Sequence, residues 1–513
     1  MFRATRNLVR LIQIARVMAR HDALFMLEKL DVAPAVLPIA RMMARPGASE
    51  GRPGQRLAKA LREAGPSVIK LGQTLATRSD LLGEEISEDL SNLQDRLPPF
   101  SSAEARAAIE REFDQPIDQL FSVFNDEPVA AASITQVHFA ITTDGKEVAV
   151  KVLRPGIEAA FAKDLDLFFW VAELVERAKP DWRRLKPVAT VETFADSVAL
   201  EMDLRFEAAA AAELAENFEG DPTFHVPEVD WLRTGKRILT TERIRGIRID
   251  DRTALVAAGH DTDEILKSAA MIFFKQVFRD GFFHADMHPG NMFVEETGVL
   301  AAVDFGIMGR LDRNTRQHLG ELLQGFLERD YRRVAQAHFD AGWVPRRKSV
   351  DAFTQACRSI GEPILDKPQN EISMARLLAQ LFQITETFEM ETQPQLLLLQ
   401  KTMLVSEGTG RKLNPEANMW VVARPMIEQW KAEHMGPEAV LRETADGIAA
   451  TLHRLPQLIE GVEASASMMA QGRVKLHPDT LRELRQGSSR QMESSQIVIA
   501  CAAIIALLTL LLM

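Results

Sequence analysis

The spacing of apolar and polar positions changes period several times along this chain, and each change marks an expected element. Residues 1–45 read as helical, with Arg3, Arg6, Arg10, Arg16 and Arg20 set among Leu, Ile, Met and Phe. The arginines fall roughly on one side, which Phe2, Val9 and Val17 share. Such a helix has two uses, lying on a membrane surface or packing on the body of the protein, and both stay open. Arg45-Pro46-Gly47 through Pro53-Gly54 reads as a linker. Two helices around Lys70-Leu71-Gly72-Gln73 follow and end at Pro98-Pro99; Ser101 to Phe113 predicts another, capped by Ser101 or Ser102.

From Pro128 the alternation becomes that of strands. The run VAAASITQVHFAI, the turn Asp144-Gly145 and the run EVAVKVLRP predict a hairpin carrying Lys151 near its end. Thr190 to Phe218 reads as one alanine-rich helix. On it Asp203 and Glu207 share a face while Glu201 is turned roughly 120° away, so Glu201 and Glu207 should have different basic partners. From about Tyr331 to Gly472 the pattern is almost wholly helical, with breaks at Pro363, Pro394 and Pro415.

Candidate chemistry concentrates in Phe282 to Gly306, FFHADMHPGNMFVEETGVLAAVDFG. Asp286 is followed five positions later by Asn291, and Asp304-Phe305-Gly306 closes an apolar strand-like run. This is the order of the two acidic motifs of kinase phosphoryl transfer, a hydroxyl-orienting Asp with a metal-binding Asn, then a second metal carboxylate. Two hard oxygen ligands can hold Mg²⁺ on ATP phosphates without caging it. The stretch has two plainer readings: a hairpin whose Asp and Asn cap turns, or a metal site of His284, Asp286 and His288 on one strand face. Pro289-Gly290 breaks such a strand at once, and no further His or Cys cluster follows. Upstream, V-A-V-K ending at Lys151 matches the strand lysine that contacts the α/β-phosphates. Leu239 to Ile249 then suits the strand and hinge where backbone would meet adenine. Where G-x-G-x-x-G would let amides approach phosphate, this chain has Ala130-Ala131-Ala132-Ser133, whose Cβ atoms hinder that approach. After Gly306 it runs straight into a helix with no A-P-E, which disfavours a docked protein substrate.

Composition narrows the class. The 513 residues suffice for two or three domains. A formal net charge of −11 argues against nucleic acid as the main partner. Two cysteines, Cys357 and Cys501, give no disulfide framework and suit a reducing compartment. From Ile497 to Met513 every residue except Thr509 is apolar, 17 positions that span about 26 Å as a helix, short for a bilayer crossing. Arg473, Lys475, Arg482, Arg485 and Arg490 precede this run, which places the body on the cytoplasmic side of a bacterial-type inner membrane. A buried core helix is the alternative.

Taken together, KLGQ, AAASITQVH, VAVKV, EMD, HADMHPGN, DFG and RKLNPEAN resemble the UbiB family of atypical kinase-like proteins, which includes AarF and the ADCK proteins. The resemblance covers about residues 60 to 420. It implies an α+β, two-lobed kinase-like fold with an N-terminal helical extension bearing the K-x-G-Q motif over the active site, a helical C-terminal region and a C-terminal membrane segment. The expected divisions are 1–60 (N-terminal helices), 61–125 (extension), 126–245 (N-lobe), 246–345 (C-lobe core), 346–490 (helical region) and 497–513 (membrane anchor).

The resemblance also implies roles. Lys151, Asp286 and Asp304 would be catalytic, with Asn291 and Asp304 holding Mg²⁺. Val129, Ala130, Ala131, Ala132, Ser133, Gln136, Lys151, Glu207 and Glu242 would bind ATP, Glu207 by pairing with Lys151. Lys70 would meet Glu201 to close the extension over the place where a kinase binds peptide, with Gln73 and Asp203 the other motif residues of that regulatory extension. The implied activity is that of a membrane-associated kinase or ATPase regulating ubiquinone biosynthesis, with membrane lipids, isoprenoid quinone intermediates and other ubiquinone-synthesis proteins as partners. A nucleotide-switched lipid-binding scaffold and a protein kinase acting in trans are the alternatives. His288 is one departure from kinase pattern: it stands two after Asp286, where a protein kinase has a lysine that neutralises the transferred phosphate, and imidazole is a weaker cation than ammonium at neutral pH.

Overall fold

The computed structural model describes residues 2–23, 51–76, 98–178, 187–365, 383–390 and 393–414, together with 86, 89–90, 380, 416 and 424–428. The expected anchor at 497–513 and most of the linker lie outside these residues. The described residues belong to one compact unit, residues 1–431.

The first helix, α1 (Phe2–Arg20), answers the question its arginines raise. It packs on the body through a mixed face: Asn7 and Arg10 meet the acidic start of a long helix, α5 (Ile157–Ala178), while Ile14, Val17 and Met18 pack on the apolar cluster around Leu57 and Leu61. Arg10 grips Asp164 with Nε and Nη2 at 2.7 and 2.8 Å, while Arg3, Arg6 and Asn7 all donate to Asp166. Leu8, Val9, Leu11 and Ile12 are left exposed.

Helices α2 (Pro53–Ala64) and α3 (Pro66–Ala76) form the extension, burying Leu57, Ala60, Leu61, Val68 and Ile69 together with Ala23. Pro53 and Gly54 open α2 rather than end a linker, because proline suits the first helical turn, where its missing N–H is no loss. A side chain at Gly54 would meet Asp89, so the residue is small for packing and not for flexibility. Ser101 caps α4 (Ser102–Phe113) as expected, with Glu104 returning the bond in a capping box.

The N-lobe sheet contains β1 (Phe121–Phe124), β2 (Ala130–Ala131), β3 (Thr135–Thr142), β4 (Glu147–Leu153) and a later strand, β6 (Ile238–Glu242), all antiparallel. The order is β1-β3-β4-β6, with β2 folded onto β3. The hairpin over Asp144-Gly145 pairs Val137 with Lys151, and β6 sets Leu239 on its other side. Alternation sends Val148, Val150, Val152 and Ile238 to one face, where Ile109 of α4 covers them.

The expected single helix over Thr190–Phe218 is two helices, α6 (Pro187–Glu201) and α7 (Leu204–Asn217). Asp203 leaves helical geometry and its carboxylate accepts from the Arg205 N–H, capping α7. An aspartate competes for backbone donors better than it continues a helix. The same-face relation of Asp203 and Glu207 therefore does not hold.

The C-lobe core has β5 (Phe224–His225), β7 (Ile247–Arg248), the helix α8 (Thr262–Phe274), β8 (Phe282–His284), β9 (Met292–Val294), β10 (Leu300–Ala302) and β11 (Met308–Arg310). One sheet runs β5-β10-β9-β7 and a second pairs β8 with β11. Helices α9 (Arg313–Leu327), α10 (Tyr331–Asp340) and α11 (Val350–Gly361) enclose a separate apolar core around Tyr331, Val334, Phe353 and Phe388. The last long helix among the described residues, α12 (Pro394–Leu413), returns to the C-lobe and buries Leu413 in the central core. No helix among the described residues is long and apolar enough to cross a membrane.

Candidate functional site

Lys151 extends from the middle strand of the N-lobe sheet into a group of two carboxylates. Its Nζ donates to Glu207 Oε1 and Oε2 at 2.7 and 2.9 Å and to Asp304 Oδ1 at 2.9 Å. Glu207 lies in the first turn of α7, where Asp203 starts the helix and the helix dipole favours an anion. Asp304 comes from the end of the β9–β10 hairpin with φ +66°, a left-handed backbone unusual for a non-glycine residue and concentrated at functional sites. That turn buries Phe305 in the central core, 5.5 Å from the His284 ring, and directs the Asp304 carboxylate to Lys151.

Burial opposes every charge in this group. It raises the Glu207 carboxyl, against the pull of Lys151. It would lower the Lys151 ammonium, but Asp304 and Glu207 reverse that and raise it. It would also raise Asp304, but Lys151 holds that carboxyl well below the usual range. Asp304 is 48% exposed, so the group opens to solvent on the Asp304 side.

Asp286 follows β8 on a loop organised by buried hydrogen bonds. His284 is fully buried; its Nδ1 accepts from the Asp286 N–H at 3.1 Å and its Nε2 donates to Val303 O at 3.2 Å. Burial lowers its pKa, so a neutral ring fixes the loop. The metal alternative for His284, Asp286 and His288 fails here, because both ring nitrogens of His284 are engaged inside the fold; among the described residues no group of three such side chains could hold a metal by itself. Asn291 donates through Nδ2 to Asp286 O at 3.1 Å, which keeps its amide oxygen for a hard cation. Mg²⁺ needs only one or two protein oxygens when phosphates supply others, so Asn291 and Asp304 fit that ion with ATP.

One residue of the site went unseen in the sequence. Lys401 of α12 donates to Asp286 Oδ1 at 3.1 Å, although 115 residues separate the two. His288, two after Asp286, lies 3.8 Å from the other carboxylate oxygen. The signal available was a lone lysine in a leucine-rich helix, LLLLQKTML, which by itself reads as a solvated position.

Other expected residues are placed as follows. Lys70 of α3 meets Glu201, the last residue of α6, at 2.6 Å with both largely buried; Gln73 lies one turn further along α3. Asp203 is taken by Arg205 at 2.6 Å. In the alanine loop, Val129 and Ala132 donate their amides to Val137 O and Thr135 O, so the sheet already uses those two donors. Ser133 is buried. Gln136 is fully buried and turned to Phe100 N–H and the His138 ring. Glu242 engages His225 at 3.0 Å, while His225 also meets Glu295 at 2.8 Å. The side chains of Gln136 and Glu242 are thus committed elsewhere.

A lysine-bearing antiparallel sheet, a buried glutamate on the adjoining helix and two acidic loops from a second lobe define a kinase-like protein with an added helical region. Residues 92–338 match the ABC1 atypical kinase-like domain, and residues 357–418 match the UbiB helical domain. The chain belongs to the UbiB family. It is 41% identical to a probable protein kinase UbiB of Marinobacter nauticus over 88% of this chain and 85% of that one. It is 44% identical to the Azotobacter vinelandii protein of the same name, over 79% and 75%. The Pseudomonas entomophila protein is 45% identical over 76% and 73%. Among solved structures, the Rv3197–erythromycin complex from Mycobacterium tuberculosis aligns with TM-score 0.51 and 22% identity over 77% of this chain and 97% of that one, a likeness of fold.

Proposed function

We propose that this protein is a membrane-associated atypical kinase or ATPase that binds Mg-ATP and serves ubiquinone biosynthesis, acting on isoprenoid quinone intermediates or giving access to them. The observation that carries the reading is Lys151 held between Glu207 and Asp304, at a site whose second lobe contributes Asp286 and Asn291. Lys151 would meet the phosphates, Asn291 and Asp304 the metal, and Asp286 the proton of the attacking hydroxyl or water. The chain passes from Gly306 to a helix already begun at Arg313, which supports water or a small acceptor over a docked peptide. Membrane lipids and other ubiquinone-synthesis proteins are the proposed partners. The exposed Leu8, Val9, Leu11 and Ile12 of α1, together with the apolar run at 497–513, support the first of these.

One observation favours a second reading, a scaffold that nucleotide switches without turnover: Lys151 already bonds the carboxylate that the metal would need. Mg²⁺-dependent ATP hydrolysis, with and without anionic liposomes and beside Asp304→Asn, separates the two. Turnover that rises with lipid and is lost in the variant supports the first. Nucleotide binding without turnover in any condition supports the second.

A further inference from the structure

We infer that Lys401, supplied by the C-terminal helical region, is a catalytic residue of this site. It would contact the transferred γ-phosphoryl group and supply the positive charge that a protein kinase draws from the lysine two residues after its catalytic aspartate. The inference rests on the Mg-ATP reading above and adds to it a residue, a role and a dependence on a separate part of the chain.

Three observations converge on Lys401. First, the charge is missing from its usual place. His288 occupies the position, its Nε2 is 3.8 Å from Asp286 Oδ2, and its Nδ1 accepts from the Gly290 N–H, which ties that nitrogen to its own turn. Second, a cation reaches the same carboxylate from elsewhere, Lys401 Nζ standing 3.1 Å from Asp286 Oδ1. Third, the helix that carries it is pinned to the C-lobe. Leu413 is buried in the central core and its carbonyl accepts from Arg252 Nε at 3.0 Å. Lys412 pairs with Asp250 at 3.1 Å and Asn414 Nδ2 donates to Asp263 at 2.7 Å. Next to Lys401, Thr402 is buried and turns its hydroxyl back to Leu398 O, which fixes the helix face that Lys401 occupies. Lys401 itself is 35% exposed, so its ammonium stands at the open edge of the site and not within the core.

The chemistry needs a cation at this point. As Asp286 takes the acceptor's proton, the acceptor oxygen bonds to the γ-phosphorus, the bond to the β,γ-bridging oxygen breaks, and ADP leaves with its electron pair. Negative charge spreads over the equatorial phosphoryl oxygens, where a fixed ammonium stabilises it. An ammonium already hydrogen-bonded to Asp286 stands beside the carboxylate that would take the acceptor's proton. Because Lys401 belongs to the helical region, any movement of α12 away from the C-lobe would remove the charge and leave Lys151, Asn291 and Asp304 in place.

The test uses the full chain in detergent and compares the unaltered protein with Lys401→Met, Lys401→Arg and the double variant Lys401→Met/His288→Lys. Fluorescent ATP and ADP analogues are titrated with Mg²⁺, and turnover is followed in parallel. Lys401→Met is expected to weaken ATP about tenfold while leaving ADP within about twofold, since only ATP carries the γ-phosphate, and to lower turnover about 100-fold. Lys401→Arg keeps most ATP affinity. The double variant regains at least about tenfold in turnover, because its lysine stands where kinases place theirs and no loss of folding could be repaired there. Equal losses for ATP and ADP, or no recovery in the double variant, would overturn the role of Lys401 alone. If ATP binding by the unaltered chain does not depend on Asp304, the Mg-ATP reading itself fails, and the role of Lys401 with it.

Discussion

Lys151 and Asp304, 153 residues apart, are joined by a 2.9 Å hydrogen bond across the two lobes, while Glu207 holds the same ammonium from the side. The lysine is therefore the only cation between two carboxylates in this group, and in the proposed function it is also the phosphate ligand. Lys151→Met would leave those carboxylates facing one another, and one would take up a proton. ATP affinity should fall about tenfold and Mg-ATP turnover about 100-fold. Lys151→Arg, with a wider and planar head, should fall between. Nucleotide titration and steady-state turnover measure both, and unchanged turnover in Lys151→Met would remove this lysine from the phosphate path.

The parts of this site that the sequence made legible are those whose chemistry demands close spacing. Asp286, Asn291 and Asp304 sit within one short stretch of chain, and the alternation around Lys151 is that of a strand. The turn at Asp144-Gly145 and the cap at Ser101 announce themselves through residue type. Other features hid for physical reasons. The break at Asp203 lies between two good helix-forming runs, so local propensity favours continuing through it. Periodicity shows that α1 has an arginine side, but which side faces inward is decided by Asp164 and Asp166, more than 150 residues away. Lys401 carries no local signature at all, since its meaning comes from Asp286 across the fold.

The pair Lys70–Glu201 ties the extension to the helix before α7 at 2.6 Å, with side chains 14% and 17% exposed. Breaking one partner leaves a largely desolvated charge behind. Lys70→Met and Glu201→Gln should each lower stability by about 1–3 kcal/mol, below the range for fully buried pairs because some water reaches both. The charge-swapped double variant Lys70→Glu/Glu201→Lys should recover part of that loss. Urea unfolding in a double-mutant cycle reads the coupling, and strictly additive losses would mean that the contact contributes nothing.

Helix α1 turns Asn7 and Arg10 toward the body, and Leu8 and Ile12, 49% and 51% exposed, stand on its outer side with Arg16. A bilayer with anionic headgroups fits both the apolar residues and the neighbouring cation. Leu8→Asp/Ile12→Asp should reduce binding to phosphatidylglycerol-containing vesicles about tenfold, as expected for two half-buried aliphatic side chains. Truncation after residue 496 removes the apolar run from the comparison without entering the unit formed by residues 1–431. Leu232→Asp, at a residue 85% exposed on another surface, serves as the control. Equal loss in the control and the α1 variant would show that the effect is general charge repulsion.

His338 gives the apolar core under α9, α10 and α11 a dependence on pH. It sits on α10 with Nδ1 donating to Val334 O at 2.9 Å and its ring edge-on to Phe353 at 5.0 Å. Burial pushes its pKa down to about 4. In the unfolded chain the same imidazole titrates near its ordinary value of about 6.5. Between these values the unfolded chain holds a proton that the folded one lacks, so stability rises with pH there and falls as pH drops through 6.5 toward 4. The full loss is roughly 3 kcal/mol. His338→Phe keeps an aromatic ring among Trp343 and Phe353 and removes the titration. Urea midpoints at pH 7.5 and pH 5 should therefore separate more in the unaltered chain than in the variant. Identical pH dependence in the two would mean that His338 takes its proton as readily in the folded protein as in the unfolded one.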